Sequence, residues 1–236
     1  MSKIRKKLGL LRLYIQGNYI IPLIYKFLFL RKFDYKYNLI KSYNGYKFLD
    51  RFKLKKDSIV IDFGANVGDF AGYVYDNFNS KIYCYEPNPI PFEILKKRFK
   101  FNKNIFTYME GVSDDAGNKK LYLSKTNLGF NTVYLSTSSS LQLRKNLDQN
   151  NFLNIKIKKI DDILAEHNFI DLIKIDIEGS EYNILKSIIS NKHKIKSVVC
   201  EFHYKSPELK NKMNSWKKYL KDENLYDKWF FEWNYE

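Results

Sequence analysis

The chain has 236 residues, 44% hydrophobic and 17% aromatic, which supports one sizeable core plus an appendage and excludes a disordered polymer, a collagen-like repeat or two full enzyme domains. Its 41 Lys and Arg against 26 Asp and Glu give a formal net charge of +15. The excess is local: residues 1–56 hold fifteen basic and two acidic side chains and the rest is nearly neutral, so the charge belongs to an N-terminal segment and not to the globular part.

Residues 1–54 read as a basic, aromatic extension of helical character. Leu8–Ile15 is apolar but broken by Arg12, and no small-residue cleavage site follows, so it does not read as a signal peptide. The run YIIPLIYKFLFL (19–30) contains Pro22 and Lys26 and falls short of the roughly 20 residues a bilayer span needs. It is either a buried helix or a segment lying on an anionic membrane face. Residues 1–50 are accordingly expected to pack on the domain or to make a peripheral membrane contact at the inner face of the membrane.

From about residue 55, short apolar runs alternate with longer mixed ones. Residues 58–63 (SIVIDF) read as a strand ending in an acid, then a glycine turn and a helix to about Phe78. Residues 81–86 (KIYCYE) are a second such strand, and Pro87, Pro89 and Pro91 lead into a helix over 92–101. A third strand is expected over 105–112, and 119–124 alternates like an edge strand or hairpin arm. Residues 125–154, rich in Asn and Ser, form the longest stretch without a pattern, a length typical of functional loops. Residues 155–160 alternate again. A strand over 171–176 (DLIKID) follows, then a helix over 180–190, a strand over 196–202 and a basic helix to about Lys221. Strands alternating with helices mean an α/β fold, with a parallel sheet covered on both faces and ligands at the carboxyl ends of its strands. The two cysteines, Cys84 and Cys200, fall inside apolar strands. They read as buried thiols in a reducing, cytoplasmic compartment, with no disulfide framework and no metal-binding spacing.

Four strand ends carry the chemistry. The first is Asp62-Phe63-Gly64-Ala65-Asn66-Val67-Gly68, whose glycines allow a sharp turn that brings backbone close to a ligand. A dinucleotide fingerprint reads GxGxxG and offers a helix N-terminus to a pyrophosphate. Here the middle glycine is replaced and an acid precedes the loop, which suits a cationic ligand such as the amino-acid end of S-adenosylmethionine. The second is Glu86, placed on the next strand where an acid can accept both hydroxyls of a ribose. The third is DIEGSE (176–181): Asp176 ends its strand, and Glu178 and Glu181 open a helix, where acids also simply favour the dipole. Three carboxylates at one crevice can hold a divalent cation, but no histidine lies at ligand spacing within this run, and no residue is assigned to a metal. The fourth is Glu201-Phe202-His203, where the period of two puts Glu201 and His203 on one face. His167 and His193 sit in polar, surface-like contexts, which leaves His203 as the functional candidate among three histidines.

The ordered set VIDFGANVGDF (60–70), YEPNP (85–89), GVSD (111–114), SSL (139–141), KIDDIL (159–164), DLIKIDIEGSEYNIL (171–185) and CEFH (200–203) resembles the FkbM-like family of S-adenosylmethionine-dependent methyltransferases over roughly residues 55–205. The resemblance implies a class I, Rossmann-like methyltransferase domain over residues 55–236. It implies a cofactor held through Asp62, Gly64, Ala65, Asn66, Gly68, Glu86 and Pro87, with adenine near Glu110, Gly111 and Val112. It also implies O-methylation of a hydroxyl on a sugar, glycan or natural product. The basic extension lies outside the matching region. Beyond Lys221 little chain remains for the usual closing antiparallel hairpin, with residues 229–233 supplying one strand.

Methyl transfer is an in-line displacement on a sulfonium whose leaving group needs no proton. The protein therefore has to place a hydroxyl oxygen behind the methyl and take its proton late. His203 is the candidate base, or Asp176 where burial raises its affinity for a proton; Glu201 would orient the imidazole and Glu178 hold a neighbouring hydroxyl. An RNA 2′-hydroxyl enzyme using Lys174 and Asp176 is one alternative, and a catalytically dead binding module is another. The charge lies outside the catalytic region, so no nucleic-acid partner is expected, and the intact acids and glycines argue against a dead scaffold. The oligomeric state stays open.

Overall fold

The computed structural model describes residues 44–124, 147–178, 180–203, 207–226 and 229–232. The basic arm up to residue 43, residues 125–146 of the Asn/Ser-rich stretch and Trp233 lie outside them.

A six-stranded sheet with the order β3-β2-β1-β7-β8-β9 is parallel at every pairing. Its strands are β1 (Ile59–Phe63), β2 (Lys81–Tyr85), β3 (Ile105–Tyr108), β7 (Leu172–Ile175), β8 (Val198–Cys200) and β9 (Phe230–Glu232). The central strands are covered on both sides, which is why IVIDF and LIKI are nearly unbroken apolar runs. Alternate residues feed two cores. Val60, Leu172 and Val199 pack with α1 (Asp69–Phe78) and α2 (Pro89–Arg98). Ile61, Ile173 and Val198 pack with α3 (Ile160–Ala165), α4 (Glu181–Ser190) and α5 (Pro207–Asp222). A 3-10 helix, Asn44–Phe52, adds Tyr46 and Leu49 to the first core.

Local signals set the helix ends. Gly68 adopts a left-handed conformation (φ 84°) ahead of α1, and left-handed Asn79 closes that helix. The Asn88 side chain accepts a hydrogen bond from the Ile90 N–H at 3.1 Å, with Pro89 in the first turn. Pro89 and Pro91 therefore sit inside α2, which starts a turn earlier than the expected Phe92, and Pro87 precedes it.

The expected strand over 105–112 is two strands in two sheets. After β3 the chain leaves the main sheet, and β4 (Gly111–Ser113) joins a second sheet of order β4-β6-β5. In it β5 (Gly117–Ser124) runs antiparallel to β6 (Leu147–Lys159), and β4 runs parallel to β6. β6 begins inside the stretch expected to be irregular, because Asp and Asn occupy so much of its first half that no apolar alternation shows. Ile160 opens α3 and does not close the strand. β9 pairs parallel to β8, so the last strand is not an arm of an antiparallel hairpin. Among the described residues no helix is long and apolar enough to cross a membrane.

β1 lies between β2 and β7, so the chain's winding direction reverses there and a crevice opens beyond the carboxyl ends of these strands. The candidate residues sit at or just beyond the carboxyl ends of β1, β2, β3, β7 and β8, except Gly111 and Val112, which lie in β4.

Candidate active site

The glycine turn after β1 is held by backbone. The N–H groups of Gly64 and Ala65 both donate to the Tyr85 carbonyl at 3.0 Å, tying the turn to the end of β2. Gly64 has φ +76°, and a Cβ there would stand 1.8 Å from the Asp176 carbonyl oxygen, so glycine is what lets β1 and β7 close together. At Gly68 (φ +84°) a Cβ would meet Leu95 Cδ1 and Phe99 Cε2 at 2.6 Å, which brings α1 against α2.

Glu86 is buried, and its two oxygens accept from backbone: Asn66 N–H to Oε2 at 2.9 Å and Asn88 N–H to Oε1 at 2.8 Å. Burial pushes its carboxyl up to about 7, against the pull of the two N–H donors from Asn88 and Asn66. Asn66 Oδ1 beside it is buried with no hydrogen-bond partner among the described residues. Pro87 and Gly111 face each other, a Cβ on Gly111 reaching 3.5 Å from the Pro87 Cβ. Val112 is buried in β4, and Glu110 pairs with Lys156 at 2.6 Å. The structure thus gathers Gly64, Ala65, Asn66, Glu86, Pro87 and Gly111 along the ends of β1 to β4.

Asp62 is paired within the protein. It is fully buried on the face of β1 directly opposite Lys174 of β7. The Lys174 ammonium stands 3.2 Å from Asp62 Oδ1 and 3.3 Å from Asp176 Oδ2, and donates to the Gly64 carbonyl at 2.8 Å. Among the described residues the Asp62 oxygens meet the Lys174 ammonium as an ion pair. Burial raises the Asp62 pKa, with Lys174 pulling the other way. Because Lys174 lies two residues before Asp176, the period of two puts both on one face of β7, so one ammonium serves two acids.

The other half of the crevice centres on His203. Its Nδ1 lies 2.7 Å from Glu181 Oε1, and its Nε2 faces Glu178 Oε2 at 3.5 Å and Glu201 Oε1 at 3.8 Å. The Tyr182 hydroxyl donates to the His203 carbonyl at 3.2 Å. Burial alone would lower the imidazole pKa, but the Glu181 bond and the charges of Glu181, Glu178 and Asp176 outweigh it and hold it up at about 9. Burial and the charge of Asp176 push Glu201 up to about 7. Glu178 does not begin the helix: it stands in the turn before α4 with φ +54°, an uncommon conformation for a non-glycine residue. Glu181, read from sequence as a crevice carboxylate or a helix-opening acid, is fully buried and engaged with His203. His167 is half-buried against Tyr83, ring to ring at 4.6 Å, and is not a plain surface residue.

Comparison with known proteins decides the family. The Methyltransferase FkbM domain matches residues 62–228. The chain belongs to this family. It is 24% identical over 160 residues to methyltransferase sdnD of Sordaria araneosa, across 57% of this chain and 62% of that protein. It is 23% identical over 148 residues to methyltransferase 1 of Beauveria bassiana, across 56% of this chain and 59% of that protein. The chain thus spans about three-fifths of the length of these curated relatives. Among solved structures, precorrin-6y C5,15-methyltransferase from Geobacter metallireducens is 12% identical over 75% of this chain and 68% of that chain, with a TM-score of 0.42. The N-terminal domain of human METTL16, solved with S-adenosylhomocysteine, is 13% identical over 77% and 59%, with a TM-score of 0.40.

The FkbM match starts at Asp62 and runs past His203, so both halves of the crevice lie within the methyltransferase domain. Two contributors to it lie outside the expected cofactor and catalytic residues. Lys174 bridges the two halves, and its spacing from Asp176 was the available signal. Glu181 reaches His203 from across the crevice, and nothing in a linear reading pairs residues on α4 with the end of β8.

Proposed function

We propose that this FkbM methyltransferase moves the methyl group of S-adenosylmethionine to a hydroxyl of a sugar, glycan or natural product. One observation carries the reading: the glycine turn and Glu86 form one wall of the crevice, and Asp176, Glu178, Glu201 and His203 form the other. The first wall fits the cofactor. Asn66 Oδ1 is a buried acceptor with no partner among the described residues, Glu86 has carboxylate oxygens for a ribose beside the backbone donors that orient it, and Gly64 and Gly68 let the turn lie close against the end of β7 and α2. When bound there, the cofactor supplies an electrophilic methyl on a sulfonium.

The chain's own work is to position the acceptor and move a proton. Carboxylates accept hydrogen bonds and offer nothing to a lone pair, so Glu178 and Asp176 suit hydroxyl groups that donate to them. With no cation bound, His203, surrounded by acids at both ring nitrogens, holds a proton at neutral pH and acts as an orienting donor and not as the resting base. The hydroxyl proton leaves late. Glu201, whose carboxyl lies near 7, takes it at Oε and passes it to water.

The test is calorimetric titration of S-adenosylhomocysteine into the wild-type protein and Glu86→Ala, followed by radiolabelled methyl transfer to a panel of polyols and sugars. Micromolar binding weakened at least tenfold in the variant, with label recovered as an ether, is the expected result. Absence of binding to the folded wild type, or label recovered on nitrogen or carbon, overturns the reading.

A further inference from the structure

We propose that Asp176, Glu178 and His203 bind one divalent cation, whose open positions take neighbouring hydroxyl groups of the acceptor. Three separate segments bring the ligands together: the end of β7, the turn before α4 and the end of β8. One oxygen from each acid and one ring nitrogen of His203 lie within 4.8 Å of one another. Ligands about 2.0–2.2 Å from a shared ion sit up to about 4.4 Å apart, so a small inward movement completes the site.

His203 separates this group from an ordinary acidic cluster. The side chain is only 9% exposed, and Nε2 points among the acids with no hydrogen bond of its own among the described residues. Its other nitrogen is held at 2.7 Å by Glu181, which is fully buried and is not one of the three ligands. A carboxylate on the far nitrogen is how proteins fix the tautomer and direction of a metal-binding imidazole, leaving the lone pair of the near nitrogen for the ion. The Tyr182 hydroxyl, bonded to the His203 carbonyl, anchors the backbone that carries the ring.

The donor set selects the ion. Two carboxylates and one imidazole, with positions left for water or hydroxyl oxygen, suit Mn2+ or Mg2+, and the imidazole favours Mn2+ of the two. Soft cations that require thiolate are excluded, since the two cysteines are buried inside strands. A cation here would fix a pair of acceptor hydroxyls by chelation, a geometry that hydrogen bonds to flexible acids hold less rigidly. What fills the open positions rests on the proposed methyltransferase reading; the cation site itself does not.

Titration of Mn2+ alone into chelator-treated protein, followed through the free-ion electron paramagnetic resonance signal, tests the site without cofactor or acceptor. One saturable equivalent is expected, with a single nitrogen coupling in pulsed spectra. His203→Ala should weaken binding at least tenfold and remove the nitrogen coupling. Glu181→Gln should weaken it roughly 10–100-fold, as loss of an orienting partner does. Glu178→Gln, in a partly exposed turn, serves where His203→Ala does not fold, and Asp115→Asn, an exposed acid outside the crevice, should bind as wild type. No saturable binding, no nitrogen coupling, or unchanged affinity in the ligand variants overturns the proposal. S-adenosylhomocysteine binding measured on the same preparation keeps the two readings apart: cofactor binding without Mn2+ sinks only the cation site, and the converse sinks only the methyltransferase reading.

Discussion

Gly64→Ala probes the closest approach in the crevice. An L side chain at φ +76° costs about 1–2 kcal/mol by itself. Its Cβ would stand 1.8 Å from the Asp176 carbonyl oxygen, so the ends of β1 and β7 must part by more than about 1 Å before the contact becomes tolerable. That movement breaks the Asp176 N–H bond to the Phe63 carbonyl (3.1 Å) and loosens the Gly64 N–H bond to Tyr85 (3.0 Å), each worth about 0.5–1.5 kcal/mol. The total comes to about 2–5 kcal/mol, and at about 2–4 °C per kcal/mol the melting temperature should fall by roughly 4–20 °C. Gly117→Ala is the control. Its φ is +137°, and a Cβ there meets nothing within 4 Å, so it carries backbone strain without a clash. Thermal unfolding followed by circular dichroism gives both values, and S-adenosylhomocysteine titration of the surviving fold should show weakened binding for Gly64→Ala alone. Equal losses of melting temperature in the two variants would refute the claim that strand approach, and not backbone conformation, requires glycine at 64.

Glu86 gives a pH test with opposite signs. An acid whose folded pKa rises from 4.5 to about 7 makes the ligand-free protein less stable as pH climbs through that window, by up to about 3 kcal/mol, with no further change above it. Ribose hydroxyls donate to the ionised form, so S-adenosylhomocysteine affinity should rise across the same window, by up to about tenfold per pH unit, and then level off. Calorimetry and urea unfolding between about pH 5 and pH 8 check both, and trends of the same sign would show that Glu86 is not the linked group. Lys174→Met strands the buried Asp62 charge and should cost about 3–5 kcal/mol, whereas Asp62→Asn combined with Lys174→Met should recover most of it. Urea midpoints decide: a double variant no more stable than Lys174→Met means the pair is not coupled.

The parallel sheet was legible because its strands are buried on both faces and advertise themselves as apolar runs ending in acids. The three-stranded sheet was not, since β6 carries Asp and Asn through its first half and Met109 and Glu110 hide the break at which β3 ends and β4 begins. Candidate residues were legible as types at strand ends, and the structure collects them in one crevice. Their partners were not. Asp62 reads in sequence as an acid before a glycine turn, and the lysine opposite it on β7 is not visible there. Glu181 looked like a helix cap because its burial is set by α4 packing on the end of β8, a contact between residues 22 apart in the chain.

The charge pattern bears on which acceptor the crevice admits. Lys174 is engaged by Asp62 and Asp176, and His203 by Glu178, Glu181 and Glu201, so five carboxylates converge on one ammonium and one imidazole. With no cation bound, a phosphate brought to this rim meets carboxylate oxygens at short range in a partly dehydrated site, where like charges repel far more strongly than in bulk water. An RNA backbone reaching the ends of β7 and β8 would carry such a phosphate on each side of the target ribose. Lys174 offers no relief, being almost fully buried and already shared between two acids. Neutral hydroxyls and cations meet the opposite situation, since each carboxylate gains a donor or a counter-charge. With no cation bound, the same acids therefore suit the proposed hydroxyl acceptor better than a nucleic-acid backbone, even though the chain as a whole carries a charge of +15.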